Sequence, residues 1–213
     1  SSCLIYPMTK VQEQIIEAAR VLRNRAGAPL SASGRPLPAL LVMTDEERLP
    51  DPVHIAEQLP AGCGIVLRHY RAPNRRQLAQ KLKEACHNRG LLFFVARDAD
   101  LAISTGAHGL HMPEGMLEQP AGHLNLGITT IAAHSASALE RAAKIGADAA
   151  ILSPVFPTES HPAAPPLGAP EFARLVGLAR VPVYALGGVT PSTIPKIADS
   201  GAAGVAVTGM FAA

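Results

Sequence analysis

VPVYALGGVTPSTIPKIADSGAAGVAVTGMFAA, residues 181–213, is the stretch on which the reading of the fold turns. An apolar run, Val181–Leu186, meets the pair Gly187-Gly188. Thr190-Pro191 then supplies a helix cap and a residue suited to the first helical position. The short helical segment this predicts is stopped by Gly201, and a second apolar run, Gly204–Val207, ends at Thr208-Gly209. The order is strand, glycine turn, helix, strand, polar-glycine turn. Two neighbouring parallel strands that each end in a small-residue loop can offer backbone N–H groups to an anion. The last two strands of an eight-stranded α/β barrel often do this for a phosphate. Either turn alone is explained by a tight bend or a strand end. The pair, spaced as it is, points to a phosphate cradle.

Working outward toward the N-terminus, the same alternation repeats. Ala39–Thr44, Gly64–Leu67, Leu91–Ala96, His108–His111, Ile128–Ala132 and Ala149–Leu152 read as strands. Pro52–Leu59, Arg75–Asn88, Asp100–Thr105, Ser137–Lys144 and Glu171–Leu178 read as helices between them. Eight strands alternating with helical segments predict an α/β fold, a single (β/α)8 TIM barrel, with an open doubly wound sheet as the alternative. Residues 8–24 add an amphipathic helix in which Val11, Ile15, Ile16, Ala19 and Leu22 recur at helical spacing. Residues 25–38 are rich in Gly, Ser, Ala and Pro and read as a linker. The expected organisation is an N-terminal helix and linker, 1–38, packed on a barrel of 39–213. The helix is expected next to strands one and eight, because the sequence holds no helix after strand eight.

Composition narrows the function. A chain of 213 residues with 48% hydrophobic content suits one domain with a sizeable core. A net charge of +2 argues against nucleic acid as a partner, and no apolar run is long enough to span a bilayer. The N-terminus lacks the charged-then-apolar pattern of a signal peptide. Three cysteines, Cys3, Cys63 and Cys86, are odd in number and lack metal-ligand spacing, so free thiols in a reducing cytoplasm are expected.

In such a barrel the chemistry lies beyond the C-terminal ends of the strands. Those positions hold Asp45, Arg68, Tyr70, Arg71, Arg97, Asp98, His111, Glu114, His134, Ser153, Thr158, His161, Gly187, Gly188, Thr208 and Gly209. Cations and small phosphate-binding groups predominate, so an organic phosphate or diphosphate is the expected small-molecule partner. Several of these residues have plainer readings. Asp98 can cap the helix that follows it, His111 can be a packed histidine, and His134 can serve a helix start. His161 can be exposed in its Pro-rich loop. Arg75 and Arg76 read as a solvated helix face and are left out of the site.

The stretches GADAAILSPVFPTESH (146–161), YALGGVTPSTIPKIADSGAAGVAV (184–207) and DADLAISTGAHGLHMPE (98–114) resemble thiamine phosphate synthases and the related TenI-type thiazole tautomerases. The likeness runs from about Ala39 to Phe211. Members are β/α barrels; the synthases displace diphosphate from a hydroxymethylpyrimidine diphosphate with a thiazole phosphate, and Mg²⁺ holds the diphosphate. By this resemblance Gly187, Gly188, Thr208 and Gly209 fall on the thiazole-phosphate cradle, and Thr158 on a loop that touches substrate. Arg68 falls on the arginine after strand two, and Asp98 on the first Mg²⁺ aspartate. The chain departs from the family pattern at Val66, Tyr70, Arg97, Ala132 and His161, where the family has Gln, Lys, Asn, Ser and Lys. The second Mg²⁺ aspartate has no clear counterpart in MPEGM (112–116).

Two classes of function follow: an enzyme of thiamine metabolism, either synthase or tautomerase-like, and a barrel that binds a thiamine-related phosphate without catalysis. Several titratable groups around one cleft favour the enzyme. The expected catalytic residues are His134, Arg97 and His161. The expected substrate-binding residues are Arg68, Thr158, Gly187, Gly188, Thr208 and Gly209. For the metal, Asp98 is the candidate ligand and Glu114 a second. The competing expectation is that Arg97 with Arg68 replaces the cation and that Asp98 pairs with Arg97. A homo-oligomer is left open.

Overall fold

The computed structural model describes residues 8–31, 34–116, 127–158 and 164–211. Eight parallel strands close into a barrel in sequence order: β1 Leu40–Met43, β2 Gly64–Leu67, β3 Leu92–Ala96, β4 Gly109–Met112, β5 Ile128–Ala133, β6 Ala149–Leu152, β7 Val183–Ala185 and β8 Gly204–Val207. The seam is β8 on β1, with Leu41 opposite Ala206 and Val42 opposite Val207. Among the described residues six α-helices accompany the strands: α1 Lys10–Arg25, α2 Pro52–Gln58, α3 Arg75–Arg89, α4 Ala99–Thr105, α5 Ala136–Lys144 and α6 Gly168–Leu178.

Apart from His111 in β4 and Thr129 and Thr130 in β5, the strands are apolar on both faces, as a sheet covered on both sides requires, and successive side chains alternate between two cores. Leu41, Met43, Val66, Phe94, Ile151 and Tyr184 fill the barrel interior. Leu40, Val42, Ile65, Leu67, Phe93 and Val95 face the helices. The interior is filled, not hollow, so ligands are confined to its rim. Gly109 shows how tightly: a Cβ there would lie 2.6 Å from the Phe94 ring.

α1 begins with a capping box, in which Thr9 and Gln12 each bond the other's backbone N–H. Its buried face, Ile15, Ile16, Ala19 and Leu22, joins the outer core, and the helix lies against β8, β1 and the 3-10 turn Ile194–Ile197. Val11, expected in that stripe, is exposed, and Gln12 is buried in its place. The capping bond draws Gln12 inward and rotates Val11 out.

The segment after β7 also differs from expectation. Only the 3-10 turn Ile194–Ile197 forms, in place of an α-helix. Thr190 bonds reciprocally with Thr193, whose hydroxyl also donates to the Gly188 carbonyl at 3.0 Å. This closed knot and the ring of Pro195 leave no run long enough for an α-helix. Among the described residues no helix is long and apolar enough to cross a membrane.

Candidate functional site

The rim formed by the C-terminal ends of the strands carries a cavity of about 710 Å³. Arg68, His134, Thr158, Gly187, Gly188, Thr208 and Gly209 all line it. Those residues come from the ends of five different strands and the loops that follow them, so barrel closure brings together what the sequence spreads over 140 positions.

The Gly187-Gly188 turn is built from below. Leu186 N–H donates to the Leu152 carbonyl at 3.0 Å, and the N–H groups of Val155 and Phe156 donate to the carbonyls of Leu186 and Gly187 at 2.9 and 3.0 Å. The β6 loop thus takes up the carbonyls on its side of the turn. No backbone acceptor among the described residues takes the N–H of Gly187 or Gly188. Both glycines have positive φ, 92° and 62°. A Cβ on Gly187 would sit 2.9 Å from Pro154, and one on Gly188 would strike the Pro157 carbonyl. Glycine is therefore required twice over here, by backbone conformation and by the loop packed against it.

Arg68 ties the rim together. Its Nε donates to the Thr44 carbonyl at 2.8 Å and a terminal nitrogen to Thr208 Oγ1 at 3.2 Å. Its own N–H donates to Thr44 Oγ1 at 2.9 Å. β1, β2 and β8 are joined through this one side chain, whose guanidinium is only 4.0 Å from Asp45. Burial pulls the Arg68 pKa down, and the neighbouring Tyr70 and Asp45 oppose that. His69, next in sequence, turns inward to Thr44 Oγ1 at 3.0 Å and is 4% exposed, so it lies behind the site.

His134 is exposed on the same cavity, and its ring orientation is set. Nδ1 lies 2.8 Å from the Ser153 carbonyl, which only accepts, so in the neutral ring Nδ1 carries the hydrogen. Nε2 is then the basic nitrogen. The His134 N–H donates to Glu114 Oε2 at 3.0 Å, and Arg141 holds Glu114 Oε1 at 2.8 Å. His134 does not cap α5; Ser135 does, accepting from Ala138 N–H. His111 is buried with Nδ1 3.0 Å from Thr130 Oγ1, the packed histidine of the plainer reading.

Arg97 and Asp98 lie on the neighbouring part of the rim. Arg97 has φ 67° and its guanidinium stacks on the Tyr70 ring, 4.4 Å from the centroid. Asp98 does not pair with Arg97. Its Oδ1 caps α4 by accepting Leu101 N–H at 2.8 Å, and its Oδ2 accepts from Arg75 at 3.1 Å. Arg75 is correspondingly not on a solvated face. It also donates to the carbonyls of Ala96 at 2.7 Å and His69 at 2.9 Å, clamping the ends of β2 and β3. A cation at a helix start is opposed by the helix dipole, and Arg75 opening α3 was a signal, legible in the sequence, that it serves another purpose. His161 lies outside the described residues.

The Mg²⁺ implied by the resemblance needs carboxylate oxygens free to face a ligand phosphate. Asp98 has one oxygen on a backbone N–H and one on Arg75; Glu114 has one on His134 N–H and one on Arg141. Among the described residues no three His, Cys, Asp or Glu side chains come together in a metal-binding group. Among the described residues, these carboxylates do not fit the ion.

Comparison with known proteins finds relatives over most of the chain. The thiamine-phosphate synthase of Chlorobium luteolum is 33% identical over 177 residues, covering 80% of this chain and 83% of that protein. A protein of the same name from Synechococcus sp. WH7803 is 32% identical over 169 residues; these are 76% of this chain but 47% of that protein, so this chain spans about half of it. The thiamine phosphate pyrophosphorylase structure from Pyrococcus furiosus shares the fold, with a TM-score of 0.69 over 83% of this chain and 88% of that one at 24% identity. The family model described as thiamine monophosphate synthase matches residues 40–211, from the first barrel strand to the turn beyond the eighth, and this chain belongs to that family.

Proposed function

We propose that this chain is an enzyme of thiamine biosynthesis that seats thiazole phosphate between the β7 and β8 turns and joins it to a pyrimidine partner at the rim. One observation carries the reading: the free-facing N–H groups of Gly187 and Gly188, the Thr208 hydroxyl and the Arg68 guanidinium line a single cavity with His134. Backbone N–H groups with a guanidinium behind them suit a phosphate monoester. The 3-10 turn after Thr190 is too short to add a helix dipole, so the backbone amides and Arg68 provide the attraction.

With the phosphate so held, Thr158 and Pro154 wall the thiazole ring on the β6 side. In the coupling reaction the thiazole nitrogen forms the new bond to the pyrimidine methylene as the C–O bond to diphosphate breaks, and the diphosphate leaves with that electron pair. The protein's task is then positioning and charge stabilisation. The natural setting proposed is the cytoplasm, where Cys63 and Cys86 stay as buried thiols.

A second reading is favoured by the His134–Ser153 geometry. A neutral ring with Nε2 free at the cavity can accept and return a proton on bound thiazole phosphate, as a tautomerase does. The experiment that separates the readings supplies thiazole phosphate with hydroxymethylpyrimidine diphosphate and measures thiamine phosphate, with hydrogen–deuterium exchange into thiazole phosphate alone measured in parallel. Thiamine phosphate formation that is lost in Arg68→Ala supports coupling. Exchange without coupling, lost in His134→Gln, supports the tautomerase. Binding with neither activity leaves a non-catalytic barrel.

A further inference from the structure

Arg68 lines two cavities. Beyond the one just described, a second of about 470 Å³ opens on its other side, lined by Tyr70, Arg71 and Arg97 and also by the carboxylates Asp45, Glu46 and Glu47. We propose that Arg97, held over Tyr70 beside Arg68, makes this second cavity a metal-independent site for a diphosphate group, and that Asp98 serves the fold and not a cation. The proposal rests on the reading of the first cavity as the thiazole-phosphate seat, which places the two anions on either side of one guanidinium.

Four observations support it. First, Arg97 is a non-glycine residue at φ 67°. Such a conformation costs on the order of 1 kcal/mol and persists where the surroundings or the function hold it. Here its result is an arginine turned back over Tyr70. Stacking occupies the face of the guanidinium and leaves its N–H edges free, the arrangement suited to gripping phosphate oxygens in pairs.

Second, the charge of Arg97 is not spent inside the protein. Among the described residues no carboxylate lies within ion-pair distance of it, and the three carboxylates that share its cavity are held by other groups. Arg71 takes Glu46 at 3.1 Å and Glu47 at 3.8 Å, and Asp45 accepts the N–H groups of Glu47 and Arg48 at 3.1 and 3.0 Å. Third, Arg68 and Arg97 converge. Both line the second cavity together with Tyr70, so their charges act on one space. Fourth, among the described residues the candidate carboxylates for a divalent ion are occupied, Asp98 by Leu101 N–H and Arg75, Glu114 by His134 N–H and Arg141. Fixed guanidinium charge thus stands where a cation would otherwise be needed against the leaving diphosphate.

The test is calorimetry on the full chain with inorganic pyrophosphate as the probe. It is titrated in EDTA and again as its magnesium complex, with thiazole phosphate titrated separately. Pyrophosphate is expected to bind in EDTA, with magnesium changing the affinity by less than about threefold. Arg97→Asn is expected to lose on the order of tenfold or more in both buffers, the scale of a charge-assisted contact, while keeping thiazole-phosphate affinity. Asp98→Asn keeps the helix cap and should bind pyrophosphate as the wild type does. A gain of about tenfold or more from magnesium that Asp98→Asn abolishes would overturn the proposal. So would wild-type pyrophosphate affinity in Arg97→Asn, or no binding of pyrophosphate in EDTA. Pyrophosphate binding with the expected features but without thiazole-phosphate binding would support the arginine site and refute the cradle.

Discussion

His111 shows what the rim demands of a single residue. It lies 5% exposed at the end of β4, and burial, followed by the charges of Arg68 and Arg97, drives its pKa down to about 3. An unfolded histidine titrates near 6.5. Between those two values the unfolded chain binds a proton that the folded chain refuses, so lowering the pH favours unfolding, by up to about 1.4 kcal/mol per pH unit. The stabilising effect is full above the unfolded value and is lost as pH falls toward 3. Urea denaturation followed from pH 7 to pH 4 should therefore lose stability less steeply in His111→Gln than in the wild type; equal slopes would contradict this account. Gly188 makes a related point. A Cβ there would meet the Pro157 carbonyl and Phe156, not the space of a ligand. Gly188→Val should therefore weaken thiazole-phosphate binding by displacing the β6 loop, and it should lower the melting temperature as well. A variant that loses affinity at unchanged stability would contradict this and point to direct obstruction of the ligand.

Among the elements, the strands were the most legible. Gly64–Leu67, Ala149–Leu152 and Gly204–Val207 have in the structure the bounds their apolar runs imply, because a strand covered on both faces must be continuously apolar. Helices with polar faces were legible to within a few residues. The segment after Thr190 was not, since the Thr190–Thr193 knot depends on side-chain bonds that a cap-and-proline pattern does not distinguish from a helix start. α1 was legible as a helix, and the structure lays it against β8, β1 and the 3-10 turn Ile194–Ile197. Ile15 is fully buried there. Ile15→Ala should cost about 2–5 kcal/mol by leaving a cavity between helix and barrel, measured by urea denaturation, with thiazole-phosphate affinity unchanged. A loss below about 0.5 kcal/mol, typical of a surface site, would show that α1 is not part of the core.

At the scale of the whole molecule, closure does what no local pattern can. It brings the arginine after β2 within 3.2 Å of the threonine after β8, and it sets the two cavities on either side of that arginine. Proximity of this kind was readable only as the rule that barrel sites gather at strand ends. The partners of individual charges were not readable. Asp98 belongs to Arg75 and Glu114 to Arg141, and neither pairing leaves a trace in sequence spacing. The central claim is that the β7 and β8 turns seat the phosphate of a thiazole phosphate. A crystal structure of the chain with thiazole phosphate tests it most directly. The account predicts phosphate oxygens within hydrogen-bonding distance of the N–H groups of Gly187 and Gly188 and of the Thr208 hydroxyl, with Arg68 alongside. A phosphate bound anywhere else on the rim, with those turns untouched, would contradict it.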